Sequence, residues 1–150
     1  MSKQTPGNSP QQALVEDLGG ICVLRGEGPQ RSWNGILYKQ GLSAKNVGSS
    51  GLSINVATVP PGAIAYAHIH DGFEVMLFVL QGTVKHTFGE NLEKEVINQA
   101  GDFIYIKPGV PHEVFNIGEE DLVVFVARSA ADEWDKIIDY PSRYRPPKEG

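Results

Sequence analysis

The stretch AYAHIHDGFEVMLFVLQG, residues 65–82, together with GDFIYIKPGVPHEVFN, residues 101–116, decides how this chain of 150 residues is read. Successive side chains of an extended strand point to opposite faces, so His68 and His70 share a face, roughly 7 Å apart along the backbone. Glu74 keeps that face if the strand continues through Asp71-Gly72. A turn or bulge there would break the parity. His112 follows a Gly-Val-Pro turn that places it at the mouth of a later strand. Three neutral imidazoles and a carboxylate make a donor set suited to a first-row divalent metal, with coordination positions left open for a substrate.

The rest of the chain supports an all-β reading. It has 17 glycines and 10 prolines, and β-branched runs such as INVATV and LVVFVA stand between them. This is the pattern of short strands joined by tight turns, hence a barrel or sandwich. Strands are predicted at Ile21–Leu24, Gly35–Tyr38, Leu52–Val59, through the histidines, and at Val75–Leu80, Thr83–Phe88, Val96–Ile97, Phe103–Ile106, Glu113–Asn116 and Leu122–Val126. Val75–Leu80 and Thr83–Phe88 read as a hairpin about Gln81-Gly82. Only Ala130–Ile138 carries helical spacing, through Trp134, Ile137 and Ile138, with Asp132 near its start. The domain plan is a flexible tail over 1–12, a barrel over 13–128, and a short helix with an irregular proline-rich tail over 129–150.

Composition narrows the partners. A formal net charge of −5 disfavours DNA, RNA and anionic membrane, each of which needs a basic surface to displace counterions. The longest apolar run, Val75–Leu80, is about a third of a membrane span, and MSKQTPGNSPQQ has no apolar signal core. The one cysteine, Cys22, has no intrachain partner. A cytoplasmic setting and a small-molecule ligand are therefore expected.

At these motifs the sequence resembles the cupin superfamily over roughly Gly62–Asn116. The first motif reads Gly62, five residues, His68-Ile69-His70, three residues, Glu74, then Gly82. The second reads Gly101-Asp102, then Pro108-Gly109-Val110-Pro111-His112, with Asn116 beyond. The resemblance implies a small antiparallel β-barrel of the jelly-roll type and a metal held by His68, His70, Glu74 and His112. Manganese or iron is favoured, with nickel, zinc, cobalt or copper also suited. It further implies a homodimer. Two departures stand out. Glu74 lies one residue further from Gly82 than in the commonest form of the motif, and Lys107 stands where many cupins have proline.

Period two groups Val84, His86 and Phe88 on one face, which points His86 inward, either as an acid or base near the metal or as a hydrogen-bonded core residue. Tyr66 shares the face of His68 in a regular strand, where its hydroxyl would orient a bound oxygen or simply pack. Cys22 reads as a buried apolar residue, Asp102 as a turn residue, and Trp33 and Trp134 as packing anchors. The functional expectation is a metal-dependent oxidoreductase resembling the dioxygenase cupins, acting on a small enol, diketone or aromatic metabolite with Glu74, His86 and Tyr66 as catalytic candidates. The alternatives are a sugar or keto-acid isomerase using the same metal, and a non-catalytic small-molecule binder. Sugar phosphates would need basic pocket residues, for which only Lys107, Lys85 and Arg128 qualify.

Overall fold

The computed structural model describes residues 15–25, 30–132 and 136–146, so the tail expected over 1–12 and Trp134 lie outside the described residues. Strands β1 (Val15–Asp17) and β2 (Cys22–Leu24) form a small ribbon. They are followed by β3 (Gln30–Trp33), β4 (Ile36–Leu42), a one-turn helix α1 (Ala44–Val47), β5 (Ser53–Val59), β6 (Ile64–His70), β7 (Val75–Gln81) and β8 (Thr83–Phe88). The chain continues through β9 (Lys94–Gln99), β10 (Phe103–Ile106), β11 (His112–Asn116), β12 (Leu122–Arg128) and β13 (Ile137–Asp139). Two larger sheets form, a six-stranded one ordered β10-β7-β12-β5-β4-β3 and a five-stranded one ordered β13-β6-β11-β8-β9. Every pairing is antiparallel, as expected for a small β-barrel of this kind.

Alternation in the sequence drives this arrangement. In SINVATV of β5 and LVVFVAR of β12 every second residue is buried, so each strand sends one row of side chains into the space between the sheets. Val59, Val75, Val79, Val84 and Leu122 form the centre of that core, each at most 2% exposed. Burying a side chain of this size is worth about 1.5–3 kcal/mol.

Two local expectations meet a different outcome. The strands β7 and β8 do not pair as a hairpin. They belong to opposite sheets, and Gly82 is the corner between them. Its φ of 95° suits glycine, and a Cβ there would stand 3.0 Å from Leu122 Cα. The hairpin lies one strand later, between β8 and β9. At the C-terminal end of the predicted helix, Ile137–Asp139 instead forms β13, paired with Ile69 and the histidines of β6. An open sheet edge beside β6 outweighs a weak helical spacing there. Among the described residues the helix is α1, which carries a capping box built by Ser43 and Asn46.

Candidate metal centre

The five-stranded sheet supplies all four histidines of the chain, His68 and His70 from β6, His86 from β8 and His112 from β11. His112 pairs directly with His68 across the β6–β11 ladder. A bulge sits beside that pair. From His112 to Val114 the partner strand runs from His68 to Ala65, so two residues of β6, Tyr66 and Ala67, oppose one of β11, Glu113. Ala65 and His68 therefore both face inward, at 0% and 4% exposure, and the histidines enter the barrel on a phase reset by the bulge.

His68, His70 and His112 each present a ring nitrogen, and these atoms lie within 4.8 Å of one another. Their ring centroids are 4.4–5.0 Å apart. Backbone carbonyls set two of the tautomers. Nδ1 of His68 lies 2.8 Å from the Tyr66 carbonyl, and Nδ1 of His112 lies 2.9 Å from that of Val110. A carbonyl only accepts, so each Nδ1 carries the proton and each Nε2 keeps its lone pair for a metal. Gly109 N–H, in the turn before His112, donates to the His70 carbonyl at 2.8 Å and ties the two motifs together. The outer side of β6 is braced by the C-terminal segment. Arg145 and the Tyr140 N–H both donate to the Ala67 carbonyl, while buried Glu113 accepts from the Ala67 N–H and from Ser142 Oγ.

Burial holds all four imidazoles neutral. It pushes His112 down to about 4 and His86 down to about 3, and it holds His68 and His70 well below the ordinary histidine range. The positive charge of Arg128 adds to the depression of His68 and His70. Neutral imidazole is the form that ligates. Nδ1 of His70 and both ring nitrogens of His86 are buried without a hydrogen-bond partner among the described residues. A buried polar atom left this way is costly, and a bound ion or its attendant ligand would relieve it. The three-histidine donor set and its geometry thus fit a first-row divalent ion.

Glu74 and Tyr66 are not brought to this cluster. Glu74 is exposed, its carboxylate accepts from the Tyr105 hydroxyl at 2.8 Å, and its backbone exchanges hydrogen bonds with Ser129. After the bend at Asp71-Gly72 the inward position passes to Val75, which is 2% exposed. Val75 is also where a carboxylate at the commonest motif spacing from Gly82 would stand. Tyr66 is turned aside by the bulge, and its ring packs 5.7 Å below the Arg145 guanidinium. Its carbonyl matters more, since it also accepts from Asn34 Nδ2 at 2.6 Å.

His86 does face inward, 6.4 Å from the His112 ring. Lys85 lies over the Phe115 ring, and Lys107 is exposed at the rim of an outer cavity of ≈ 710 Å³ that reaches His86 and His112. The six-stranded sheet closes the inner cavity, of ≈ 60 Å³, mostly with aliphatic side chains, and adds two polar groups, Tyr38 and Arg128. Asp102 closes the turn before β10 by accepting from Gln99 N–H and Asn98, as expected of a turn residue.

A family model described as Cupin domain matches residues 55–128. The chain is similar to Germin-like protein 8-14 of Oryza sativa subsp. japonica, with 32% identity over 98 residues. That match covers 62% of this chain and 46% of the relative, so the chain spans less than half the length of that protein. Among solved structures, a mutant of Bacillus subtilis oxalate decarboxylase superposes with a TM-score of 0.66 at 22% identity, covering 75% of this chain and 30% of the other. The formate complex of Lactobacillus farciminis oxalate decarboxylase gives 0.64 at 20% identity, covering 73% and 32%. A predicted oxalate decarboxylase from Thermotoga maritima gives 0.54 at 22% identity, covering 70% and 81%. At these identities the structural likeness speaks for the fold.

Proposed function

This chain belongs to the cupin superfamily, and from that premise we propose that it is a metal-dependent oxidoreductase of the dioxygenase type, acting on a small enol, diketone or aromatic metabolite. The observation that carries the proposal is the three-histidine cluster, buried in a cavity whose remaining wall is largely aliphatic. His68, His70 and His112 would hold the ion, with manganese or iron favoured. When bound, such an ion supplies Lewis acidity and, for a redox metal, electron transfer to oxygen. The aliphatic wall excludes water and strengthens every electrostatic contact within. With the Glu74 carboxylate outside the cluster, the proton-handling role falls to His86, which lines the cavity and whose buried ring nitrogens have no hydrogen-bond partner among the described residues.

A second reading, keto-acid isomerisation at the same centre, draws on the Arg128 cation in the cavity wall. Oxygen uptake by metal-loaded protein over a panel of small enols, diketones and catechols tests the first reading. Uptake that disappears in His112→Ala is the expected result. Turnover that persists unchanged under argon would favour isomerisation, and no uptake by fully loaded protein across the panel would overturn the dioxygenase reading. A homodimer is part of the same proposal, supported by Met76, Leu80, Phe103 and Tyr105, which leave the outer face of β7 and β10 apolar and 49–81% exposed. A monomer mass on gel filtration at micromolar concentration would remove it.

A further inference from the structure

The bulge of β6 is held by side chains from elsewhere in the chain, none of them in either motif. Asn34 and Gly35 form the two-residue turn between β3 and β4, with φ of 56° and 84° as a type I′ hairpin turn requires. That turn is docked on β6. The Tyr66 N–H donates to the Asn34 carbonyl at 3.3 Å, and Asn34 Nδ2 donates to the Tyr66 carbonyl at 2.6 Å. The Trp33 ring, just before the turn, stands edge-on to the His68 ring with 5.5 Å between centroids.

The two peptide groups that lead into His68 are thus fixed by partners distant in sequence. In the first, the Tyr66 carbonyl accepts from Asn34 and the Ala67 N–H donates to Glu113. In the second, the Ala67 carbonyl accepts from Arg145 Nη2 at 2.6 Å and from the Tyr140 N–H at 3.0 Å. Arg145 is itself anchored in the C-terminal segment, where Nη1 donates to the Tyr140 carbonyl at 2.7 Å and Nη2 lies 3.6 Å from the Asp139 carboxylate. Where a bulge disrupts the ladder, bonds of this kind take over the work of fixing the backbone.

The Asn34 amide faces a choice that bears on the metal. Its Nδ2 lies 2.6 Å from the Tyr66 carbonyl and 3.5 Å from Nδ1 of His68. Donation to Nδ1 would select the tautomer with its proton on Nε2, the nitrogen that a metal needs bare. The nearer carbonyl takes the amide proton instead, and it also accepts the Nδ1 proton of His68 at 2.8 Å. Arg145 keeps the amide the right way round. Its Nη2 lies 3.5 Å from Asn34 Oδ1, and a guanidinium only donates, so a flipped amide would set donor against donor and oxygen against oxygen.

We propose that Asn34 is a positioning residue of the centre, whose amide, oriented by Arg145, fixes the Tyr66 carbonyl and through it holds His68 with Nε2 free to ligate. The proposal rests on the metal-centre reading for its purpose, and on the hydrogen bonds around β6 alone for its geometry. The test uses full-length protein with isotope-labelled histidine, studied by nuclear magnetic resonance at neutral pH without metal and then titrated with Co(II). Asn34→Gly keeps the positive φ of the turn and its backbone bond to Tyr66 but removes the amide. In this variant the Nδ1 proton of His68 is expected to exchange with water roughly five- to tenfold faster, the scale of one lost hydrogen bond. The Nδ1 proton of His112, held by the Val110 carbonyl, is expected to keep its wild-type rate. Co(II) affinity should fall about tenfold, the low end of the range for losing a partner behind a ligand, with a shift in the visible spectrum of the ion. Arg145→Met, which removes the donors facing Asn34 and leaves the turn intact, should speed the same His68 proton and serves if the glycine variant does not fold. An unchanged His68 rate in folded Asn34→Gly would overturn the proposal, and so would an equal rise at His112, the mark of a merely structural loosening. If wild type binds no Co(II), the metal-centre reading fails, and the two proton-exchange rates still decide whether Asn34 holds His68.

Discussion

Replacing His112 by alanine and, separately, Glu74 by glutamine discriminates between a three-histidine centre and one completed by the motif carboxylate. Four-ligand structural zinc sites are worth about 10–16 kcal/mol, so one ligand accounts for roughly 3–4 kcal/mol. At about 1.4 kcal/mol per decade, His112→Ala should weaken metal binding on the order of 10²–10³-fold. Glu74 is exposed and bonded to Tyr105 outside the cluster, so Glu74→Gln should change affinity by less than about threefold, the scale of a screened, solvent-exposed charge. Competition against a chromophoric chelator with Zn(II) or Co(II) reads both variants on one scale. Circular dichroism on the metal-free proteins checks that each has folded, since His112 also contributes its bond to the Val110 carbonyl. The reasoning is refuted if Glu74→Gln loses as much affinity as His112→Ala, or if His112→Ala binds like wild type.

Other predictions probe the frame around the centre. A Cβ at Gly41 would stand 2.2 Å from the Ile54 carbonyl oxygen, a backbone atom, so Gly41→Ala should destabilise by about 1–3 kcal/mol and lower Tm by roughly 3–10 °C in a melting scan. Glu113→Ala removes the acceptor shared by the Ala67 N–H and Ser142 Oγ. It should cost about 1–3 kcal/mol and speed proteolysis within residues 136–146, and an unchanged digestion rate would contradict the bracing role. In metal-free protein, His112 and His86 titrate near 4 and 3 when folded, below the 6.5 of the unfolded chain. The unfolded state therefore binds protons first as pH drops, so the stability held above pH 6.5 is lost toward pH 4 at up to about 1.4 kcal/mol per unit for each histidine. Urea midpoints that stay flat from pH 7.5 to 5 would contradict this.

The centre is partly legible in the chain itself because its histidines sit on short strands, where local alternation governs direction. His68 and His70 share a face by parity, His112 follows a recognisable turn, and Val84, His86 and Phe88 announce an inward row. Where alternation is interrupted, legibility ends. The bulge in β6 turns Tyr66 out, and the bend at Asp71-Gly72 hands the inward position from Glu74 to Val75, and both shifts depend on pairing across the barrel. Gly82 looks like a hairpin turn because a turn between paired strands and a corner between sheets use the same residue. The strand at Ile137–Asp139 exists through its partner, β6, which no window of local sequence contains. Arg128 had a signal, since period two carried on from Leu122 reaches it.

Locating the metal in the native protein tests the central claim most directly. Anomalous scattering from crystals of protein purified without chelators, with elemental analysis of the same sample, should find one first-row transition ion per chain on the ring nitrogens of His68, His70 and His112. A chain that stays metal-free after growth in metal-supplemented medium, or an ion held elsewhere, would contradict it.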